Sequence, residues 1–248
     1  MSGRISGLLL LVLLCAACQK PTGSARLHFT FSVDGDELQQ DTMMYQNAAG
    51  NQYEVTEAQY FISKVVLTMS DGTQYAINSD KSVHYVDADI PSTLVWHPID
   101  ELPVGTFTAI SFVFGLAPEL NVTHAYTDAP ENNMSWPAVL GGGYHYMKIN
   151  GRWLAPDGTA HPFNLHSGRV VTETGDTVEN SFVVTLPLQN AVITKGEVMD
   201  LHLDMNVNRW FCSPYLFDFN QFGGSVMQNQ VAQETLRANG WDVFSVLE

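Results

Sequence analysis

Residues 26–33 read RLHFTFSV, and their parity decides the fold class. Leu27, Phe29, Phe31 and Val33 fall on one side of an extended chain, while His28, Thr30 and Ser32 fall on the other. A period of two is the mark of a strand with one face in a core and one toward water. The pattern returns in LHLDMNVN (201–208), where Leu201, Leu203, Met205 and Val207 oppose His202, Asp204, Asn206 and Asn208.

Between these two segments lie YFISKVVLTM (60–69), SVHYVDA (82–88), FTAISFVFGL (107–116), YHYMKIN (144–150) and NSFVVTLPL (180–188). They are rich in β-branched and aromatic residues and are bounded by Gly, Pro, Asp and Asn, which predicts further strands. SDGTQ (70–74) and APDGTA (155–160) each carry Asp-Gly, which accepts positive φ at a tight hairpin turn. Many short strands with little helical periodicity predict an all-β protein, an antiparallel β-sandwich. The exception is SVMQNQVAQETLRANG (225–240), read as a short C-terminal helix. Val226, Gln230, Val231 and Leu236 form its weak stripe, Ser225 its cap and Gly240 its stop.

The chain opens MSGRISGLLLLVLLCAAC, with Arg4, an apolar run from Leu8 to Leu14 and small residues before Cys18. That layout predicts an export signal over 1–17, too short for a permanent span. LCAAC resembles a bacterial lipobox, so Cys18 is the expected lipidation site, anchoring the protein to a membrane by its N-terminal lipid. Residues 18–25 then form a polar tether, and a single β domain occupies 26–248. Gln19 stands where inner-membrane lipoproteins often carry Asp, so an outer-membrane lipoprotein of the cell envelope is expected. A soluble periplasmic protein cut nearby is the alternative. With Cys15 in the signal and Cys18 acylated, Cys212 is alone and no intramolecular disulfide is expected.

Eleven basic residues against 26 acidic ones give a formal charge of −15. Nucleic acid is excluded as a ligand, because phosphate contacts need the opposite sign. No GxSxG elbow, phosphate loop or HExxH is present, so an enzyme is not expected. The eight histidines carry more information. Neutral imidazole is the commonest transition-metal ligand, and thioethers add affinity for copper(I). His28 and His202 fall on the polar faces of their strands and are expected to be exposed. His161 and His166 flank PFNL in a Pro-bounded segment read as a loop, which can turn His166 inward. MSWPAVLGGGYHYMKING (134–151) gathers Met134, Trp136, three glycines and His145. Alternation through YHYMKIN puts His145 and Met147 on one face, jointly beside a metal or jointly in a core.

YFIS (60–63), HYVDAD (84–89), SFVFGL (111–116), MSWP with GGGYHYMKINGRW (134–153), FNLHSG (163–168) and ANGWDVF (238–244), in this order, resemble the family of MbnP-like copper-binding proteins, envelope proteins associated with methanobactin systems. The resemblance implies a β-rich fold and mononuclear copper held by histidines. It also implies a tryptophan oxidised to kynurenine by a dihaem peroxidase-like partner. On it, His145 and His166 are the expected metal ligands, with Trp136 and Met134 beside them. A dihaem peroxidase-like protein or a copper importer is the expected partner. The chain departs from the methanobactin-associated pattern at Pro137-Ala138, where those members place a second tryptophan and then Gly-Tyr, and it lacks Trp-x-His. The expected function is a non-catalytic copper protein in uptake or storage. The competing reading is a structural sandwich whose aromatic loops bind a protein or glycan.

Overall fold

In the computed structural model, residues 20–172 and 174–247 are described. The expected signal (1–17) and lipidation site Cys18 lie outside them. The long strands are β1 (Thr22–Val33), β2 (Gln52–Met69), β3 (Val83–Asp87), β4 (Gly105–Phe114), β5 (Met147–Leu154), β6 (Ala160–Ser167), β7 (Phe182–Ile193), β8 (Val198–Asn206) and β9 (Phe244–Leu247). One sheet runs β9-β8-β1, and the other runs β6-β5-β2-β4-β7 with β3 paired to β2. The sandwich is therefore as the alternation predicts, with one difference. β1 and β8 pair in parallel, so the two most regular segments of the sequence lie side by side with Leu27 opposite Leu201 and His28 opposite His202.

The register explains why both carry the same alternation. Leu27, Phe29 and Phe31 of β1 and Leu201, Leu203 and Met205 of β8 are buried together, facing Tyr60, Ile62, Phe112, Phe114, Met147, Ile149, Phe163 and Leu165 of the other sheet. β1 begins at Thr22, within the stretch expected as tether, because Ala25 is already buried in that core. The Asp-Gly turns form as predicted, with Gly72 and Gly158 both at positive φ. Asp71 and Asp157 accept from the amides of Thr73 and Thr159.

Helix α1 (Gln230–Asn239) sits where a helix was expected, but its cap and stripe differ. Asn229, rather than Ser225, accepts from the Ala232 amide as the N-cap. Ala232, Gln233, Leu236 and Asn239 are buried while Val231 is exposed. Two amide side chains replace apolar ones in the stripe because each is bonded inward. Asn239 bridges the carbonyls of Trp210 and Tyr215, and Gln233 reaches the backbone of Gly168.

The second sheet is buried on both faces, which places the site. Phe61 points away from Tyr60 and Ile62 and joins Val83, Tyr85, Leu116, Met134, Tyr144 and Tyr146 in a second, smaller apolar cluster. The chain from 115 to 146 folds over that face as a cover. Among the described residues, no helix is long and apolar enough to cross a membrane.

Candidate metal centre

The cover is held by a short antiparallel contact. The Trp136 amide donates to the Gly143 carbonyl at 2.8 Å, and the His145 amide donates to the Met134 carbonyl at 2.6 Å. Gly143 lies at φ 82°, and a Cβ there would fall 2.2 Å from Asn121 Oδ1, so only glycine permits the approach. Asn121 in turn accepts from the Tyr144 amide. These contacts bring residues 134–136 against 143–145.

β6 supplies the third element. The segment expected as a loop is a strand, because its Pro162 lies where no sheet bond to the described neighbours is needed while Phe163 and Leu165 alternate into the core. His166 therefore points to the opposite face, directly across from Lys148. The expected pairing of His145 with Met147 fails for a related reason. β5 begins only at Met147, the chain bends at Tyr146, and alternation does not extend back to His145. Met147 enters the sandwich core, whereas His145 stands on the outer face with His166.

The structure thus brings together three of the expected residues by side chain. The His145 and His166 rings are 5.0 Å apart, centre to centre, and nearly perpendicular at 87°. Trp136 meets His145 edge to face at 4.6 Å. Met134 contributes its carbonyl, while its side chain packs in the second apolar cluster. His28 and His202 are elsewhere, stacked at 4.5 Å on the outer face of the other sheet, with His28 bonded to Asp200.

Hydrogen bonds fix both tautomers. His145 Nδ1 lies 2.9 Å from the Met134 carbonyl, which only accepts, so Nδ1 carries the hydrogen and Nε2 a lone pair. The Asn150 amide nitrogen donates to the Glu57 carboxylate, leaving Asn150 Oδ1 to accept from His166 Nε2 at 2.9 Å. His166 Nδ1 is then the lone pair. Both lone-pair atoms, His145 Nε2 and His166 Nδ1, are buried and have no hydrogen-bond partner. Burial pushes the His145 imidazole down to about 3, with the charges of His166 and Lys148 adding to it. His166 falls to about 4, again by burial first and Lys148 second. Both rings are neutral at pH 7.

Two neutral imidazoles with unmet lone pairs are chemically suited to a Lewis acid. A metal bound by both nitrogens at about 2 Å allows ring centres up to roughly 6.5 Å apart, so the observed spacing fits. Among the described residues no group of three or more His, Cys, Asp or Glu is placed to hold a metal ion, which disfavours a four-ligand zinc site. The Trp136 ring rests on Gly168, where a Cβ would lie 2.8 Å from the indole. Gly168 is held by Asn180 and Gln233, which also bond to each other.

The sequence profile of the MbnP family matches residues 22–229. The chain belongs to the MbnP family. That match covers residues 134–168, which hold both histidines and Trp136. The fold is similar to that of MbnP from Methylosinus trichosporium, with a TM-score of 0.55, 16% identity and 79% of each chain covered. No match is found among curated proteins. Asn150, Glu57, Lys148 and Gly168 were not singled out from the sequence. The only signal for Asn150 and Lys148 was their shared parity in YHYMKIN, and the positions of Glu57 and Gly168 depend on register and on the packing of α1.

Proposed function

We propose that this member of the MbnP family is a non-catalytic copper-binding protein of the cell envelope, with His145 Nε2 and His166 Nδ1 as the ligand atoms. The observation that carries the reading is the pair of buried, partnerless lone pairs on neighbouring imidazoles, each tautomer fixed from behind. An unmet buried acceptor costs about 1–3 kcal/mol, so two on neighbouring rings favour a site made for a ligand. Soft, low-coordinate copper suits two nitrogen donors better than metals that demand four or six.

Trp136 supports the same reading. Its ring is 3% exposed and packs against His145, in position to join the donor set if oxidised to kynurenine, whose aniline nitrogen can coordinate metal. The N-terminal signal and Cys18 support export and lipid anchoring, and copper delivery or storage beside a peroxidase-like or importer partner is the role proposed.

Copper(I) is diamagnetic, so the ligand assignment is testable by nitrogen NMR of the imidazoles on loading. Shifts at His145 Nε2 and His166 Nδ1, with His28 and His202 unmoved, are expected. Shifts confined to the His28–His202 pair contradict the assignment. Peptide mass spectrometry of protein from its own envelope tests Trp136, and an unmodified indole in copper-loaded protein removes it from the donor set.

A further inference from the structure

The triplet Asn-x-Ser/Thr occurs twice in the chain, as Asn121-Val122-Thr123 and Asn133-Met134-Ser135, with no proline in the middle of either. It is the acceptor signal for N-linked oligosaccharide in exported proteins, and it is used on surface loops, where a bulky polar group disturbs no packing. Each copy here also has a carboxylate two residues before the asparagine, Glu119 for the first and Glu131 for the second. With 26 acidic residues among 248, an acid falls at any given position about one time in ten, so its presence in both copies exceeds what overall acidity supplies. Oligosaccharide transferases of bacterial envelopes ask for this upstream acid, which gives a cationic side chain of the enzyme a charge to hold.

Both triplets lie in the cover from 115 to 146, and the structure separates them. Asn121 is 2% exposed. Its Nδ2 donates to the Tyr146 hydroxyl at 3.0 Å, and its Oδ1 accepts from the Tyr144 amide at 2.8 Å. A sugar on that nitrogen has no room, so the folded protein cannot carry one there, whatever the order of transfer and folding.

Asn133 is exposed, as is Ser135. It lies in a single turn of 3₁₀ helix (Glu131–Met134), anchored from beneath by the buried Met134 side chain. The bonds of this turn use other groups. The Asn132 side chain donates to the Thr127 carbonyl, the Ser135 hydroxyl donates to the Asn132 carbonyl, and Lys148 donates to the Asn133 carbonyl. Among the described residues none engages the Asn133 side-chain amide, which is left to solvent. The backbone bonds, from the Asn133 amide to Pro130 and from the Ser135 amide to Asn132, are local. The turn can therefore open to meet an enzyme without disturbing either sheet.

We propose that Asn133 is the acceptor for an N-linked oligosaccharide, with Glu131 and Ser135 as the residues that a transferase reads. The donor is an oligosaccharide joined through its anomeric carbon to a lipid pyrophosphate. Asn133 Nδ2 forms a bond to that carbon as the bond from the carbon to the pyrophosphate oxygen breaks. The lipid pyrophosphate leaves with the electron pair, and the amide gives up one proton to a base of the transferase. From the reading above this takes only that the chain is exported, and copper plays no part in it.

The test is glycopeptide mass spectrometry of the full chain purified from its own envelope, with wild type beside Glu131→Gln, Ser135→Ala and Ser135→Thr. A glycan is expected on the Asn133 peptide of wild type and Ser135→Thr. It should be lost in Glu131→Gln and Ser135→Ala, with thermal unfolding near wild type, and Asn121 should be unmodified throughout. An unmodified Asn133 in wild type overturns the proposal. So does a glycan that persists in Glu131→Gln or Ser135→Ala, or one found on Asn121. If the chain is absent from the envelope, the export reading fails first and this one with it, a result distinct from an exported chain whose Asn133 is bare.

Discussion

Acidifying the copper-free protein should destabilise it in a window that belongs to its buried histidines. His145 and His166 have folded-state values of about 3 and about 4, below the ordinary histidine value, and burial is the main cause in both. The unfolded chain therefore binds more protons than the native one, and stability rises with pH. The contribution is fully present above about 6.5 and is lost as pH falls toward the folded values. Between about pH 7 and 5 each ring costs roughly 2 kcal/mol, at 1.36 kcal/mol per unit over about 1.5 units below the unfolded value. That figure needs only that the folded values lie under 5, so the pair accounts for roughly 4 kcal/mol. His84, stacked between Phe29 and Trp96 and lowered to about 4 by burial, adds a similar amount outside the site. The assay is urea unfolding at both pH values for wild type and for the His145→Gln, His166→Gln double variant. The variant should lose roughly 4 kcal/mol less than wild type on acidification. An equal loss in both proteins would refute the reasoning.

Other substitutions test the supports of the site. Asn150→Ala removes the group that fixes the His166 tautomer and should weaken copper binding by about 10–100-fold, read by competition with a chelator. Gly168→Ala places a methyl 2.8 Å from the Trp136 ring and should cost about 1–3 kcal/mol in thermal unfolding, with a change in tryptophan fluorescence. Phe114→Ala empties a position between Tyr60, Trp210 and Phe244 and should cost about 3–5 kcal/mol without altering metal affinity.

Much of this fold was legible because it depends on local period. The alternation of Leu27, Phe29 and Phe31 and of Leu201, Leu203 and Met205 marks the two strands of one core face. What periodicity does not carry is pairing, so the parallel contact of β1 and β8 had no signature in either segment. The site divides in the same way. His145 and His166 were named from residue type and family resemblance, and they meet at 5.0 Å. Their setting was hidden because it arises where regularity stops. The bend at Tyr146 detaches His145 from the parity of Met147, and a strand instead of a loop turns His166 outward. Glu57 reaches His166 only through Asn150, a relation fixed by the register of β2 on β5. Gln233 and Asn239 show the converse limit, since polar residues in a helix stripe look exposed until their partners are known.

Equilibrium dialysis of the mature domain against copper(I) and copper(II), with wild type beside a His145→Ala, His166→Ala double variant, tests the central claim most directly. The two-imidazole centre predicts binding tighter than micromolar in wild type that is lost in the double variant. Binding no tighter than micromolar in wild type, or the same binding in both proteins, would contradict it.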